Sequence, residues 1–238
     1  MLDIVRNLLL SFFAVAVLLP VVRYALRRMS PARLQTPLSA DEVKYMQKRE
    51  WKLTLLYYFF ACVLSVFSAG ILALLSSAVN SPSGNMHLLT PNFQALFAPG
   101  LLIGLTLALI PLRLVQQSVL GHDYALYKSY ILQTEGTGSI KGYRLIFTVL
   151  MVFSAIIVWY ALRWHVTIDE KEITITNLLS EERAYTLQQI ESIQYLGKEG
   201  QYIISFDDKT NINTTYLKPV QLEMIALLAD GSGKRVQR

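Results

Sequence analysis

LTLLYYFFACVLSVFSAGILALLSSAVNSPSGNMHLLTPNFQALFAPGLLIGLTLALIPL, residues 53–112, holds no Asp, Glu, Lys or Arg in sixty positions. Lys52 closes it on one side and Arg113 on the other. A water-soluble domain does not present so long a charge-free run, so lipid is its predicted solvent. One crossing takes about 20 apolar residues, so the run is too long for a single span. Its middle, Asn80-Ser-Pro-Ser-Gly-Asn85, collects turn-forming residues. The prediction is a helical hairpin: residues 53–79 cross, a polar turn follows, and residues 95–112 return.

Two further spans flank the hairpin. Residues 7–22 are uncharged and lie between Arg6 and Arg23. That run is short, but both arginines can snorkel to the interfaces. Ala14 and Ala16 resemble a signal-peptidase site. The apolar run continues to Val22, however, and the basic cluster Arg23, Arg27, Arg28 follows, so an uncleaved anchor is expected. Residues 145–162 form the fourth span, with Trp159, Tyr160 and Trp164 as an aromatic belt at its exit.

Charge orients the spans. Residues 1–163 carry 14 Lys/Arg and 6 Asp/Glu, a balance of +8; residues 164–238 carry 8 and 11, a balance of −3. The basic excess therefore belongs to the membrane part and gives no reason to expect nucleic-acid binding. It concentrates in residues 23–52 and 113–144, whereas residues 80–95 hold no Lys or Arg. Short Lys/Arg-rich loops stay in the cytoplasm, and they also suit anionic lipid headgroups. Ser39-Ala-Asp-Glu42 has capping-box spacing and predicts a helix start. With four spans, the turn of the hairpin and the C-terminal region both fall outside the cytoplasm. The expected location is a bacterial inner membrane.

Ala61, Ser65, Ala69, Ala73 and Ser77 recur every fourth residue, as do Gly100, Gly104 and Ala108. Small residues let membrane helices approach closely. The two stripes are predicted to pack on each other within the hairpin or between two copies of the chain; the sequence leaves both open. Pro99 and Pro111 are read as boundary signals of the third span. Tyr124, Tyr127, Tyr130 and Ile131 predict an amphipathic interfacial helix, broken at Thr134-Glu-Gly-Thr-Gly138.

From residue 164 the periodicity changes from helical to alternating. Strands are predicted at 165–168, 172–176, 183–187, 192–196, 201–206 and 211–216. The 197–200 and 207–209 segments are turns. Pro219 is placed at the start of a closing helix, with Leu222, Ile225, Ala226 and Ala229 as its apolar stripe. Ile168, Ile173, Ile175, Leu187, Ile193, Ile204, Phe206 and Ile212 are the predicted core. The fold class is thus a four-helix membrane region, residues 1–163, followed by a small antiparallel β-barrel or sheet domain capped by one helix, residues 164–238.

Three pieces of this domain carry a resemblance: Val166-Thr-Ile-Asp-Glu-Lys-Glu-Ile-Thr-Ile175, Leu187-Gln-Gln-Ile-Glu-Ser-Ile193 and Tyr202-Ile-Ile-Ser-Phe-Asp-Asp208. Together they resemble the bacterial pleckstrin-homology-like domains found fused to membrane spans. The resemblance implies a small barrel capped by a helix that serves as a scaffold without catalysis. Six predicted strands stand where that fold has seven. The first connecting loop is acidic (Asp169, Glu170, Glu172), so inositide recognition is not carried over.

Catalytic chemistry finds no constellation. Cys62 is the one cysteine, and His87, His122 and His165 lie in different segments, so no metal site, catalytic site or cofactor is expected. His122 beside Asp123 lacks a nucleophile in reach. The functional expectation is a non-enzymatic multi-pass protein that engages lipid and, through residues 164–238, a protein partner. A toxin-immunity protein and a transporter or channel subunit are the alternatives. The second is disfavoured by the absence of ionisable residues inside the four runs.

Overall fold

The computed structural model describes residues 2–29, 38–80, 86–177, 179–197 and 200–237. Pro31, Arg33 and Pro37 of the basic segment, residues 81–85 of the hairpin turn, and Lys198 and Glu199 of a strand turn lie outside them. The chain divides into two compact units. One comprises Met1–Ser68 and Pro99–Ala155, the other Ala69–Ala98 and Ile156–Arg238.

Four segments are helical, long and apolar enough to cross a membrane: Val5–Ala25, Ala40–Val79, Phe97–Glu135 and Ser139–Arg163. The first lies within α1 (Leu2–Met29). The second is α2 (Ala40–Val79), whose start is fixed by the expected capping box. Ser39 N–H donates to Glu42 Oε2 at 2.8 Å, and Glu42 N–H donates to Ser39 Oγ at 3.3 Å. At 1.5 Å per residue α2 is roughly 60 Å long. It therefore extends well past the ~30 Å hydrocarbon layer, and its first turns stand outside.

The third segment is not one helix. α3 (Phe97–Leu107) stops one residue before α4 (Leu109–Leu120) begins. The break has a covalent cause. Pro111 has no N–H to offer Leu107, four residues back, and its ring crowds that carbonyl. Pro111 thus removes a hydrogen bond inside the span, where Ala108 keeps right-handed helical dihedrals, and does not mark its boundary. A short 3₁₀ turn, Gly121–Asp123, leads into α5 (Tyr124–Glu135), and α6 (Ser139–Arg163) is the last span. Gly136 at φ +99° ends α5 in a conformation that only glycine adopts freely.

Apolar side chains face outward on these helices. Phe59, Phe67 and Leu74 of α2 are 62%, 65% and 72% exposed. In water this would be an apolar patch of the kind soluble proteins avoid; in lipid it is the solvated surface. Inside the first unit, Val15, Ala61, Leu105 and Ala108 form a buried cluster, with Tyr57, Tyr58 and Leu64 packed against it.

The second unit carries two four-stranded sheets. One has the order β1 (His87–Leu89), β2 (His165–Ile168), β3 (Glu172–Thr176), β4 (Glu182–Thr186), all antiparallel. The other runs β7 (Asn211–Asn213), β6 (Tyr202–Phe206), β5 (Ile190–Tyr195), β8 (Val236–Gln237). β8 alone is parallel to its neighbour. Among the described residues no strand pairing joins the two sheets, so they do not close into a barrel.

Their core is the alternating face of the strands: Val166, Ile168, Ile173, Ile193, Ile204 and Phe206 are each 2% exposed or less. Leu187 and Ile212 are buried with them, while Ile175 is only partly buried. α7 (Leu222–Ser232) starts three residues later than Pro219 suggests. Val220 N–H donates to Gly200 O (3.1 Å), which holds residues before 221 extended. The buried face is Met224, Ile225 and Leu228; of the expected stripe Ile225 is buried, Ala229 half-buried, and Leu222 and Ala226 are exposed.

β1 comes from the connection between the second and third spans, which carries no strand in the sequence reading. His87 pairs Ile168, Leu88 pairs Thr167 and Leu89 pairs Val166. Asn92 secures the segment. Its Nδ2 donates to the carbonyls of Thr215 (2.7 Å) and Leu217 (3.0 Å), and its own N–H donates to Tyr216 O (3.0 Å). Lys218 N–H donates to Thr90 O at 2.9 Å. Leu89, buried to 2%, belongs to the same core as the C-terminal strands.

Candidate functional site

β4 is an open edge of the second unit. It is the last strand of its sheet and, at five residues, the longest edge strand among the described residues. Its free side follows from the register. Asn177 N–H donates to Glu181 O (3.0 Å), and hydrogen-bonded pairs alternate along an antiparallel ladder. Ile175–Arg183 and Ile173–Tyr185 are therefore the bonded pairs. The backbone N–H and C=O groups of Glu182 and Ala184 consequently point away from β3. Thr186 points the same way, but Gln189 Oε1 accepts its N–H at 2.8 Å.

Tyr185 braces this edge from behind. Its ring stacks on Phe206 with centroids 4.2 Å apart. Its hydroxyl contacts Asp208 Oδ2 at 2.8 Å and Thr210 Oγ1 at 3.1 Å. The Asp208 carboxylate also accepts from Thr210 N–H (2.8 Å) and Thr210 Oγ1 (2.8 Å). The Thr210 backbone bond, then the Thr210 and Tyr185 hydroxyls and nearby Arg183, hold its pKa below the ordinary Asp value. The β4 edge is thus tied to the β6–β7 turn. It presents Glu182, Arg183 and Ala184 to solvent on a fixed support.

The first unit holds a second constellation, which the sequence reading did not find. Arg23 of α1 pairs with Glu50 of α2 at 2.8 Å and lies 3.9 Å from Glu135 at the end of α5. Arg23 also donates to Thr54 Oγ1 (3.3 Å), and Tyr130 Oη donates to Glu50 Oε2 (2.8 Å). Tyr130 and Glu135 are buried. The tyrosine row of α5 is therefore turned partly into the bundle, with Tyr127 stacked on Tyr130 at 6.4 Å. The cluster lies outside the charge-free runs, because α1, α2 and α5 extend past them. A signal was present: beyond the capping pair Asp41 and Glu42, Glu50 is the one acidic residue in the basic segment 23–52.

The small-residue positions divide. Ala61, Ser65, Gly104 and Ala108 come together in the first unit. A Cβ on Gly104 would fall on the backbone of Ser65. Ser65 Oγ lies 3.4 Å from Leu101 O, and Tyr57 Oη donates to Leu105 O at 3.2 Å. Gly100 is buried. In the second unit Ala69 is buried and Ala73 half-buried, while Ser77 contacts Thr90 Oγ1 (3.2 Å) and the Lys218 ammonium. A four-residue step rotates about 40° around a helix. The stripe therefore winds, and the buried positions of α2 follow Ala61, Ser65, Ser68, Leu72 and Ser76.

Trp159 lies under the Arg163 guanidinium, 4.6 Å from ring centroid to Cζ, as an interfacial pair at the end of α6. Among the described residues no group of three His, Cys, Asp or Glu side chains is arranged to hold a metal ion. His122 is exposed at the α4–α5 turn, while Asp123 accepts from Tyr45 Oη at 2.9 Å. No protein family, curated protein or solved structure matches the chain.

Proposed function

We propose that this is a non-enzymatic multi-pass membrane protein whose C-terminal sheet domain binds a protein partner and acts as a scaffold at the membrane surface. The carrying observation is the β4 edge, with outward main-chain groups at Glu182 and Ala184 on a braced strand. Edge strands are a common docking site for extended segments. This fold already builds itself that way: β1, more than seventy residues upstream, adds to the opposite edge of the same sheet. Six antiparallel strands followed by a helix within residues 164–238 also support the likeness to pleckstrin-homology-like scaffolds, one strand short of that fold.

The pairing of β1 with β2 supports placing the hairpin connection and the C-terminal domain on one side of the membrane. That connection lacks Lys and Arg, and the opposite loops are basic, so the domain is assigned to the outer side of a bacterial inner membrane. The Arg23–Glu50–Glu135 cluster pairs opposite charges at one end of the bundle. That suits a clamp between helices better than an ion path.

Ala184→Pro tests the assignment, because it removes an outward N–H and leaves the β3–β4 bonded pairs in place. In affinity capture from native membranes, a partner of the unmodified protein should be lost from this variant at unchanged thermal stability. Identical recovery would refute the β4 surface. A reporter fused after Arg238 and active only outside the cytoplasm tests the side.

A further inference from the structure

One face of α2 changes character along its axis. Lys44, Lys48, Trp51, Leu55 and Phe59 follow one another at steps of three or four residues, so they share a face. All five are exposed. The order is cationic, then indole, then aliphatic and aromatic. The charge-free run starts at Leu53, so Lys48 stands roughly 7 Å of helix rise above it and Trp51 about one turn below Lys48. The headgroup layer of one leaflet is about 5–7 Å deep.

Beside this face α1 and α2 enclose a cleft of about 420 Å³, lined by Arg23, Lys44, Lys48, Trp51 and Thr54 among others. Its floor is fixed, because Glu50 and Thr54 hold Arg23. Its rim is free: among the described residues neither Lys44 nor Lys48 has an ion-pair or hydrogen-bond partner.

We propose that this cleft is a binding site for an anionic phospholipid. Its phosphate sits between Lys44 and Lys48, its glycerol level meets the Trp51 ring, and an acyl chain runs along Leu55 and Phe59. Lys48 stands at headgroup height and Lys44 roughly 6 Å of helix rise further out, and these two unpaired cations supply the charge complement that a zwitterionic lipid does not need. The indole and the apolar residues below specify a lipid and not a soluble phosphate. The leaflet is the one facing the basic loops, and the assignment is independent of the partner surface on β4.

The test uses the full chain in nanodiscs with Trp159→Phe and Trp164→Phe, so that Trp51 reports alone. Brominated phosphatidylglycerol and brominated phosphatidylcholine are compared at equal mole fraction as quenchers. Each lysine near the surface favours the anionic lipid by about fivefold. The anionic lipid should therefore quench more strongly, and Lys44→Gln with Lys48→Gln should remove most of the difference. Arginine at both positions should restore it. Lys128→Gln with Lys141→Gln makes the same charge change on other helices and should leave it intact. Equal quenching by the two lipids overturns the site. So does equal loss in the Lys128/Lys141 control, which would reveal only diffuse attraction.

Discussion

Replacing Gly104 with alanine should loosen the first unit, although alanine is the better helix former. The magnitude follows from the contact. The added Cβ would meet the Ser65 main-chain N and Cα as well as its Oγ, and backbone cannot swing aside as a side-chain tip does. Carbon atoms rest about 3.5–4 Å apart, so α2 and α3 must separate by roughly 1 Å. Overpacking of this kind costs about 1–3 kcal/mol. Separation also weakens the contacts of Ser65 Oγ with Leu101 O and of Tyr57 Oη with Leu105 O, each worth about 0.6 kcal/mol in a membrane. Helix propensity returns about 1 kcal/mol. The net loss is about 1–3 kcal/mol, a fall in Tm of roughly 3–10 °C for a chain of this size. Gly70 supplies the internal comparison, since nothing lies within 4 Å of a Cβ built there. Gly70→Ala should leave Tm unchanged or raise it. Thermal unfolding in detergent, followed by loss of the monodisperse peak, reads both. If Gly104→Ala proves as stable as Gly70→Ala, the close approach of α3 to Ser65 is refuted.

Arg23→Gln and Glu50→Gln should each destabilise the protein, and the double variant should lose less than the sum, with a coupling of about 1–2 kcal/mol; additive losses would remove the clamp. Asp208 gives a pH dependence whose sign is fixed. Its folded pKa lies below the ordinary Asp value because Thr210 and Tyr185 donate to the carboxylate. Its contribution is therefore present above about pH 4 and is lost as pH falls through the folded value. Proteolysis or hydrogen exchange at β4 should rise in acid for the unmodified protein. With Asp208→Ala it should already be raised at neutral pH and change less on acidification.

How much was legible depended on whether the signal was local. The four spans were readable because their absence of charge is a property of consecutive residues, and the helix start at Ser39 because its cap spans four positions. Helix ends beyond the apolar runs were only partly readable: the Ser39 cap places Glu50 on a helix, but Arg23 follows the first apolar run and Glu135 falls in the expected break at residues 134–138, so no local pattern brings the three together. Six strands of the C-terminal domain followed from alternation, and Ile168, Ile173, Ile193, Ile204 and Phe206 are buried as the pattern required. β1 escaped because three residues carry no period and its partner lies about eighty positions away. Pro219 misled because Gly200 captures the Val220 N–H, a contact no local pattern records. The β4 edge was only partly visible: its strand was predicted, but its exposure depends on sheet order. Of the small-residue stripes, every-fourth spacing was legible, while the winding of that spacing around α2 separates Ser77 from Ala61.

β1 joins the span-two to span-three connection to the C-terminal sheet. Cysteines at Leu88 and Thr167, opposite each other in the β1–β2 register, test it directly in a Cys62→Ala background. Opposed antiparallel residues lie about 4.5–5.5 Å apart at Cα, within disulfide reach. Mild oxidation in native membranes should therefore give an intramolecular crosslink, seen as a reducible mobility shift. A chain that stays uncrosslinked, while each single cysteine is modified from an opposite face of the membrane, would contradict the account.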